Sequence, residues 1–309
     1  EQARMMISAS DGWQTVRTPA DLAADAKWGA RLWPGAARNV DAGVNAQAKA
    51  TFYQPHSGNW QDYDCRGQAV SAKQFGGFIG DLPLEFQVNG RKVAAVYRTI
   101  AGLGYWFIDA GSGTKVESWG LADDLPVPGD FDGDGTSDLG AYSPRQNNWR
   151  IRFTTMPAQI LTDTMFGADT EPLRYPFAAD VDGDGLDDRV FFVRKSDGAA
   201  VFEAWLARGE HWAFVVGKES IAEVLQPFHG DFDGDLREDF GIISASGSIW
   251  FFLSESGKVL HQKRALARGG SAVVAGCESA SRKQLLNFSF SSGLLQVLSP
   301  DGDESTIRT

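Results

Sequence analysis

The chain has 309 residues, a formal net charge of −11 and 43% hydrophobic residues, a content that is ordinary for a protein with a sizeable core. The acidic balance and the absence of a basic stripe argue against nucleic acid as a partner. No apolar run reaches the roughly 18 residues that a membrane-spanning helix needs, so we expect no membrane insertion.

A pair of aromatic or apolar residues recurs along the chain, usually seven residues apart. In two copies, Tyr53 with Trp60 and Tyr142 with Trp149, a proline also follows two residues after the tyrosine. The second members of successive pairs are 47, 45, 44, 53, 48 and 45 residues apart. A period in the forties is the length of one four-stranded propeller blade. The seven pairs are Met6 with Trp13, Tyr53 with Trp60, Tyr97 with Tyr105, Tyr142 with Trp149, Phe192 with Phe202, Ile243 with Trp250, and Phe288 with Leu295.

This period predicts an all-β fold, namely one seven-bladed β-propeller of four-stranded antiparallel blades over residues 1–309. The first repeat shows no first strand or loop, so either its blade is incomplete or six blades form the ring with a tail. An aromatic or apolar residue followed by glycine closes several repeats, as at Trp119-Gly120. We interpret this motif, and the recurring tryptophans Trp60, Trp149 and Trp250, as packing within and between blades.

Three acidic loops stand in consecutive repeats. Residues 130–138 place carboxylates at loop positions 1, 3, 5 and 9 and a glycine at position 6, which suits an oxygen cage for Ca²⁺ around a sharp turn. Residues 180–188 and 231–239 repeat the spacing. In the third loop Leu236 stands where the sharp turn favours glycine, so the pattern specifies the geometry of that loop less firmly. The predicted carboxylate ligands are Asp130, Asp132, Asp134, Asp138, Asp180, Asp182, Asp184, Asp188, Asp231, Asp233, Asp235 and Asp239.

The charge of the chain is consistent with metal binding. The three loops hold 14 of its 40 acidic residues, and three Ca²⁺ ions would leave a net charge of about −5. Calcium sites of extracellular modules need roughly 0.1 to 1 mM calcium, which cytosol does not supply. We therefore expect an exported protein, whether extracellular, on the cell surface or periplasmic. A first residue of Glu1 fits a mature product cut from a signal peptide, or a recombinant product.

Other repeats align with the acidic loops but lack their charge. Counting back from Tyr97 matches residues 85–93 to the first loop, and there a glycine persists without the carboxylates. Residues 41–49 end in a lysine where the ninth ligand would stand, and residues 276–284 keep one acid among the four ligand positions. We predict no metal in these three repeats.

The acidic loops also carry a family resemblance. Asp-Phe-Asp-Gly-Asp-Gly-x-x-Asp, preceded by Pro-Val-Pro-Gly and followed by Leu-Gly-Ala-Tyr, resembles the FG-GAP and VCBS repeats of integrin-α-like β-propellers in secreted bacterial proteins. The resemblance is specific over residues 126–149, good around Asp180 and Asp231, and only pattern-level elsewhere. It implies that each loop joins the first two strands of a blade and carries a structural Ca²⁺, up to three in all. At loop position 7 a backbone carbonyl usually completes the ligand set. Those residues are Thr136, Leu186 and Arg237.

No catalytic residue is assigned from the sequence. The four histidines share no spacing, and no nucleophile elbow, metalloprotease helix or phosphate-binding loop is present. The leading hypothesis is a non-enzymatic recognition or adhesion module for a glycan or protein ligand. One alternative is a polysaccharide lyase or glycoside hydrolase, in which His211 or His229 would converge with Tyr175 or Arg174. Another is a structural subunit of a larger secreted assembly.

Four tryptophans lie off the recurring position and are candidates for stacking against a sugar, although we prefer a core role for each. They are Trp28, Trp33, Trp205 and Trp212. The two cysteines, Cys65 and Cys277, are compatible with one disulfide or with two free thiols.

Overall fold

A computed structural model of the chain describes residues 49–54, 57–64, 66, 68–78, 80–164, 173–195, 199–217, 224–244, 248–252, 259–263, 271–275, 283–289, 294–299 and 304–308. The first predicted pair, the candidates Trp28 and Trp33, and both cysteines lie outside these residues. Within them every regular element is a β-strand. No helix in this part of the chain has the length and apolar character needed to cross a bilayer.

The described residues divide into two compact units. One unit, formed by residues 82–217, contains the strands β4 (Leu82–Val88), β5 (Arg91–Ile100), β6 (Leu103–Asp109), β7 (Thr114–Leu121), β8 (Leu125–Gly129), β9 (Asp138–Ser143), β10 (Asn148–Arg152), β11 (Ile160–Thr164), β12 (Leu173–Ala179), β13 (Asp188–Arg194), β14 (Ala200–Trp205) and β15 (His211–Gly217).

The other unit, formed by residues 49–81 and 224–308, contains the strands β1 (Lys49–Gln54), β2 (Asn59–Asp64), β3 (Ala69–Gln74), β16 (Val224–Gly230), β17 (Asp239–Ser244), β18 (Ser248–Phe252), β19 (Val259–Lys263), β20 (Ser271–Ala275), β21 (Gln284–Ser289), β22 (Leu294–Leu298) and β23 (Glu304–Arg308).

Each sheet is an antiparallel meander of consecutive strands. Five sheets in the described residues have four strands, and β1 to β3 form a three-stranded sheet. In the unit of residues 82–217, the first strands of successive sheets are neighbours, since β8 contacts both β4 and β12. In the other unit β20 contacts both β16 and β1. Four-stranded meanders confirm the predicted blade architecture, and the number of blades stays a prediction.

The recurring pairs that the structure describes lie on adjacent antiparallel strands, which are the second and third strands of each four-stranded sheet and β1 and β2 of the three-stranded sheet. Tyr142 lies opposite Trp149, and the pairs of the second, fifth and seventh repeats match in the same way. In two repeats the cross-strand partner is the residue next to the second member of the pair. Tyr97 lies opposite Trp106, and Ile243 lies opposite Ile249. Because adjacent side chains along a strand point to opposite faces, a sequence spacing by itself does not show which of two neighbouring residues is the partner.

These pairs form the core of the blades. Tyr97 and Trp106 meet edge to face with ring centroids 5.5 Å apart, and both are fully buried. All six residues of β9 are buried, because a middle strand of a blade is covered on both faces. This explains why β9 reads as a continuous buried run instead of an alternating one.

The motif of an aromatic residue followed by glycine serves the same core. The indole N–H of Trp106 donates to the carbonyl of Trp119 at 2.9 Å, and that of Trp60 donates to the carbonyl of Phe75 at 2.9 Å. The glycine after Trp119 has a φ of 100°, a conformation that favours glycine. The structure therefore agrees with the packing interpretation of this motif.

Candidate metal centres

The three acidic loops occupy equivalent places in three sheets. They join β8 to β9, β12 to β13, and β16 to β17, which are the first two strands of each sheet. The loops therefore lie where the resemblance to FG-GAP and VCBS repeats placed them.

Three carboxylates converge in each loop. One oxygen from each of positions 1, 3 and 9 lies within 4.8 Å of the other two. The three clusters, which we call the aspartate triads, are Asp130 with Asp132 and Asp138, Asp180 with Asp182 and Asp188, and Asp231 with Asp233 and Asp239. The structure thus brings together three of the four predicted carboxylates in every loop.

The fourth predicted carboxylate, at position 5, has other partners. Asp134 accepts the backbone N–H of Thr136 at 2.7 Å and the hydroxyl of Thr155 at 2.5 Å. Asp184 accepts the N–H of Leu186 and forms an ion pair of 3.2 Å with Arg208. These contacts join the side chain to position 7 of its own loop and to the connection between the third and fourth strands of its sheet, and its role as a ligand stays a prediction.

The residue at position 1 shapes the turn. Asp130 accepts the N–H of Gly133 at 2.8 Å with one carboxylate oxygen and that of Gly135 at 2.9 Å with the other. The equivalent bonds recur at Asp180 and Asp231. One side chain therefore satisfies two backbone donors that a tight turn leaves without a strand partner.

The residue at position 9 ties the loop to the rest of its blade. Asp138 accepts the N–H of Phe131 at 3.1 Å and that of Thr154 at 2.8 Å. Asp188 makes the same two kinds of bond, to Val181 at 3.0 Å and to Ala207 at 2.8 Å. Both aspartates are almost fully buried.

The third loop keeps the backbone geometry of the other two. At position 6, Gly135 has a φ of 81°, Gly185 of 96° and Leu236 of 74°. The N–H of Leu236 still donates to Asp231, at 3.0 Å. The sequence left the geometry of this turn open, and the structure shows the same left-handed conformation at position 6 as in the other two loops. The hydrogen bonds of the loop hold the leucine in that region.

The aspartate triads fit a hard divalent cation. Burial raises the pKa of Asp138 to about 7, with the charges of Asp132 and Asp134 adding to the effect. Burial and the charges of its neighbours raise the pKa of Asp188 to about 7 in the same way. In Asp132, a member of the first triad, and in Asp235, at position 5 of the third loop, the Oδ2 atom is buried without a hydrogen-bond partner among the described residues. Buried, mutually repelling oxygens are the donor set that Ca²⁺ prefers.

The counterpart loop between β4 and β5 corrects one sequence alignment. This connection is a turn of two residues, Asn89 and Gly90, with φ values of 51° and 72°. The paired residues Leu82 and Tyr97 are 15 positions apart, two fewer than the equivalent pair Leu125 and Tyr142. The structural counterpart of Asp130 is therefore Gln87 and not Glu85. A count along the sequence cannot detect such a deletion inside a loop.

In the last sheet, Gln284 occupies the position of Asp138, as predicted, because it lies opposite the last residue of the preceding strand. Its side chain is buried, and its amide nitrogen lies 3.3 Å from the hydroxyl oxygen of Ser299. The remaining counterparts in this repeat, at positions 276, 278 and 280, lie outside the described residues.

Two of the four candidate sugar-stacking tryptophans are described. Trp205 is half-buried and packs against the core, with its ring centroid 5.6 Å from that of Phe191 and 4.6 Å from that of His211. Trp212, also half-buried, lies nearly parallel to Phe214 on β15, at 5.9 Å. Both tryptophans therefore have neighbours within their own sheet, as a core role requires.

The residues of the enzymatic alternative are placed as follows. His229 is buried and its Nδ1 atom lies 2.6 Å from the carboxylate of Glu238. Tyr175 is buried in its blade, where burial raises its pKa far above the usual range. Arg174 packs over Phe191 and lies 4.0 Å from Glu203. His211 is exposed on the outermost strand of its sheet.

The residue at loop position 8 was not among the predicted functional residues. Ser137 and Asp187 each bond to the neighbouring sheet through their backbone and side chain, as described below. A signal was available, because position 8 is polar in all three loops, with Glu238 in the third.

Comparison with known proteins establishes the fold alone. No family model matches this sequence, and none of the curated proteins matches it either. A catalytically inactive virginiamycin B lyase from Staphylococcus aureus with Quinupristin is similar over 85% of this chain and 82% of its own, at 12% identity and a TM-score of 0.51. The SapL1 lectin in complex with alpha methyl fucoside is similar over 84% of this chain and 91% of its own, at 9% identity and a TM-score of 0.54. The chain has a β-propeller fold.

Proposed function

We propose that this chain is an exported, calcium-binding β-propeller of the FG-GAP and VCBS type, and that it acts as a non-enzymatic recognition module for a glycan or protein ligand. The observation that carries the proposal is the aspartate triad, which recurs with the same geometry in three blades. The repetition favours a structural metal at each loop over a single reactive centre.

The chain's own residues divide the work at each site. In the first loop, Asp130, Asp132 and Asp138 would hold the ion, while backbone donors keep the first and last of these carboxylates in place. Bound Ca²⁺ supplies positive charge that offsets the repulsion among the carboxylates. At tenfold saturation each site would stabilise the native state by about 1.4 kcal/mol.

A recognition role is favoured over the enzymatic alternative by burial. Two of the residues proposed for a reactive cluster, His229 and Tyr175, are 4% and 1% exposed. His229 already has a carboxylate partner, and the raised pKa of Tyr175 makes its phenol a poor source of a phenolate base. The fold itself does not decide, because propellers host lectins and lyases alike.

Calcium binding is tested first, by isothermal titration of the chelator-treated protein. We expect three ions per chain. Asp132→Asn should remove one of them, since asparagine keeps the bond that the Asp134 N–H donates to position 3 but loses the charge. Asp62→Asn on β2 is a matched control outside the loops and should keep all three. A wild-type protein that takes up no calcium would overturn the metal assignment.

Recognition is tested by binding of the calcium-loaded protein to a broad array of glycans and polysaccharides, repeated with chelator. Saturable binding to one class, without release of cleavage products, is the expected result. Cleavage products would instead support the lyase or hydrolase alternative. A folded, calcium-loaded protein that binds no glycan and no protein offered to it would contradict the recognition role.

A further inference from the structure

The first two acidic loops are joined by a reciprocal pair of hydrogen bonds. The N–H of Asp187, at position 8 of the second loop, donates to the carbonyl of Asp130 at 2.8 Å. The N–H of Asp130 donates in return to the Oδ2 atom of Asp187 at 2.7 Å. Asp130 is the first residue of one aspartate triad, and Asp187 adjoins the last residue of the next.

The same arrangement occurs elsewhere in the molecule, so it belongs to the fold. The N–H of Ser137 donates to the carbonyl of Gln87 at 3.0 Å, and the N–H of Gln87 donates to the Ser137 hydroxyl at 2.9 Å. The N–H of Lys283 donates to the carbonyl of Asp231 at 2.7 Å. Among these contacts, only that of Asp187 with Asp130 joins two aspartate triads.

A second contact joins the same two loops. A Cβ atom on Gly133 would lie 2.8 Å from the Cδ2 atom of Leu186, so the leucine side chain rests directly on the glycine backbone. Leu186 and Asp187 are consecutive in the chain, and together they contact two residues of the first loop, Gly133 and Asp130. The backbone of the second loop therefore sets the position of the first.

This geometry has a consequence for ion binding. Donors within its own loop bond both carboxylate oxygens of Asp130, whereas the bonds of its backbone N–H and carbonyl to Asp187 come from the second loop. An ion in the second loop fixes Asp188 and hence the adjacent Asp187. The first loop is then ordered before its own ion arrives, which removes part of the ordering cost.

We propose that Asp187 is a positioning residue for the first metal site, and that it couples the first and second sites so that an ion at either one strengthens binding at the other. This inference rests on the proposed calcium binding. Because coupling between sites is reciprocal, the effect must be equal in both directions. A simple structural role would lower stability without linking the two affinities.

The experiment uses the full chain with Asp233→Asn, which disables the third site and leaves two. Calcium titration of this two-site protein, monitored by isothermal titration calorimetry, should show positive cooperativity. Asp182→Asn then disables the second site as well. The calcium affinity of the first site should be about fivefold or more lower in this protein than when the second site is occupied. Tenfold effects are within the ordinary range for coupled sites.

Asp187→Ala in the two-site background should abolish the cooperativity. Asp187→Asn should restore most of it, since the asparagine carbonyl can accept the N–H of Asp130. Ser137→Ala is the matched control, because it removes an equivalent bond to a turn that has no aspartate triad. It should lower the urea midpoint in chelator to a similar extent and leave cooperativity intact.

The outcomes separate the inference from the proposed function. Two independent sites in the starting protein, or cooperativity that survives Asp187→Ala, would overturn the coupling while leaving calcium binding in place. Loss of cooperativity in Ser137→Ala as well would show a general effect of destabilisation and would also overturn it. A starting protein that binds no calcium would refute both.

Discussion

Leu236 offers a direct test of how the third loop is held. Its φ of 74° lies in the left-handed region, where an L-residue costs roughly 1 to 2 kcal/mol. Glycine avoids that cost but loses about 0.5 to 1 kcal/mol more backbone entropy on folding. The leucine side chain is 72% exposed, so its removal sacrifices little burial. We therefore expect Leu236→Gly to stabilise the protein by about 0.5 to 1 kcal/mol.

The second loop provides the reverse substitution. Gly185 has a φ of 96°, and a Cβ atom added there would meet no atom within 4 Å. Gly185→Ala therefore introduces backbone strain without a steric clash, and we expect it to destabilise by about 1 kcal/mol. Leu236→Ala is the control, because it removes most of the side chain but keeps the strained backbone, and it should give little or no gain.

The assay is urea unfolding monitored by tryptophan fluorescence. It is done in the presence of chelator so that metal affinity does not contribute to the measured stability. A shift of the midpoint at constant slope reports stability. For the leucine variants, an upward shift in Leu236→Gly alone supports the argument. Equal shifts in the glycine and alanine variants would refute it, since the benefit would then come from the lost side chain and not from the backbone.

Two further predictions concern the core. Gly140→Ala should destabilise by about 1 to 3 kcal/mol in thermal unfolding, because the new Cβ would lie 2.2 Å from the carbonyl oxygen of Val127. Gly209→Ala meets no atom within 4 Å and adds only the backbone strain of a φ of 92°, so it should cost less, and a Gly140→Ala cost no greater than this would contradict the packing argument. Trp205→Ala should lower the melting temperature as well as any glycan binding, because its ring packs on Phe191; lost binding at an unchanged melting temperature would instead identify a sugar-stacking residue.

Much of the fold was available from local pattern. The period in the forties predicted four-stranded blades, because each blade needs one complete set of strands and turns. The cross-strand pair of Tyr142 and Trp149 was visible as a spacing of seven. Where the spacing differed, as at Tyr97, the pairing could not be assigned to the residue, since register depends on the length of the intervening turn.

The aspartate triads were also largely predictable, because the turn that gathers them is encoded within nine residues. Carboxylates at positions 1 and 9 bond to nearby backbone donors, and glycine at position 6 permits the required φ. Spacing alone did not show that the carboxylate at position 5 turns toward the second half of its loop, nor that leucine at position 6 would keep the same turn.

The repeat, the strands and the three acidic turns could be predicted from the sequence, since each follows from interactions between residues close in the chain. The contacts between one turn and another become visible in the folded molecule. Asp130 and Asp187 are 57 residues apart, and they meet because successive sheets place their first hairpins side by side. Contacts of this kind depend on how whole blades pack, and no spacing within one repeat encodes them.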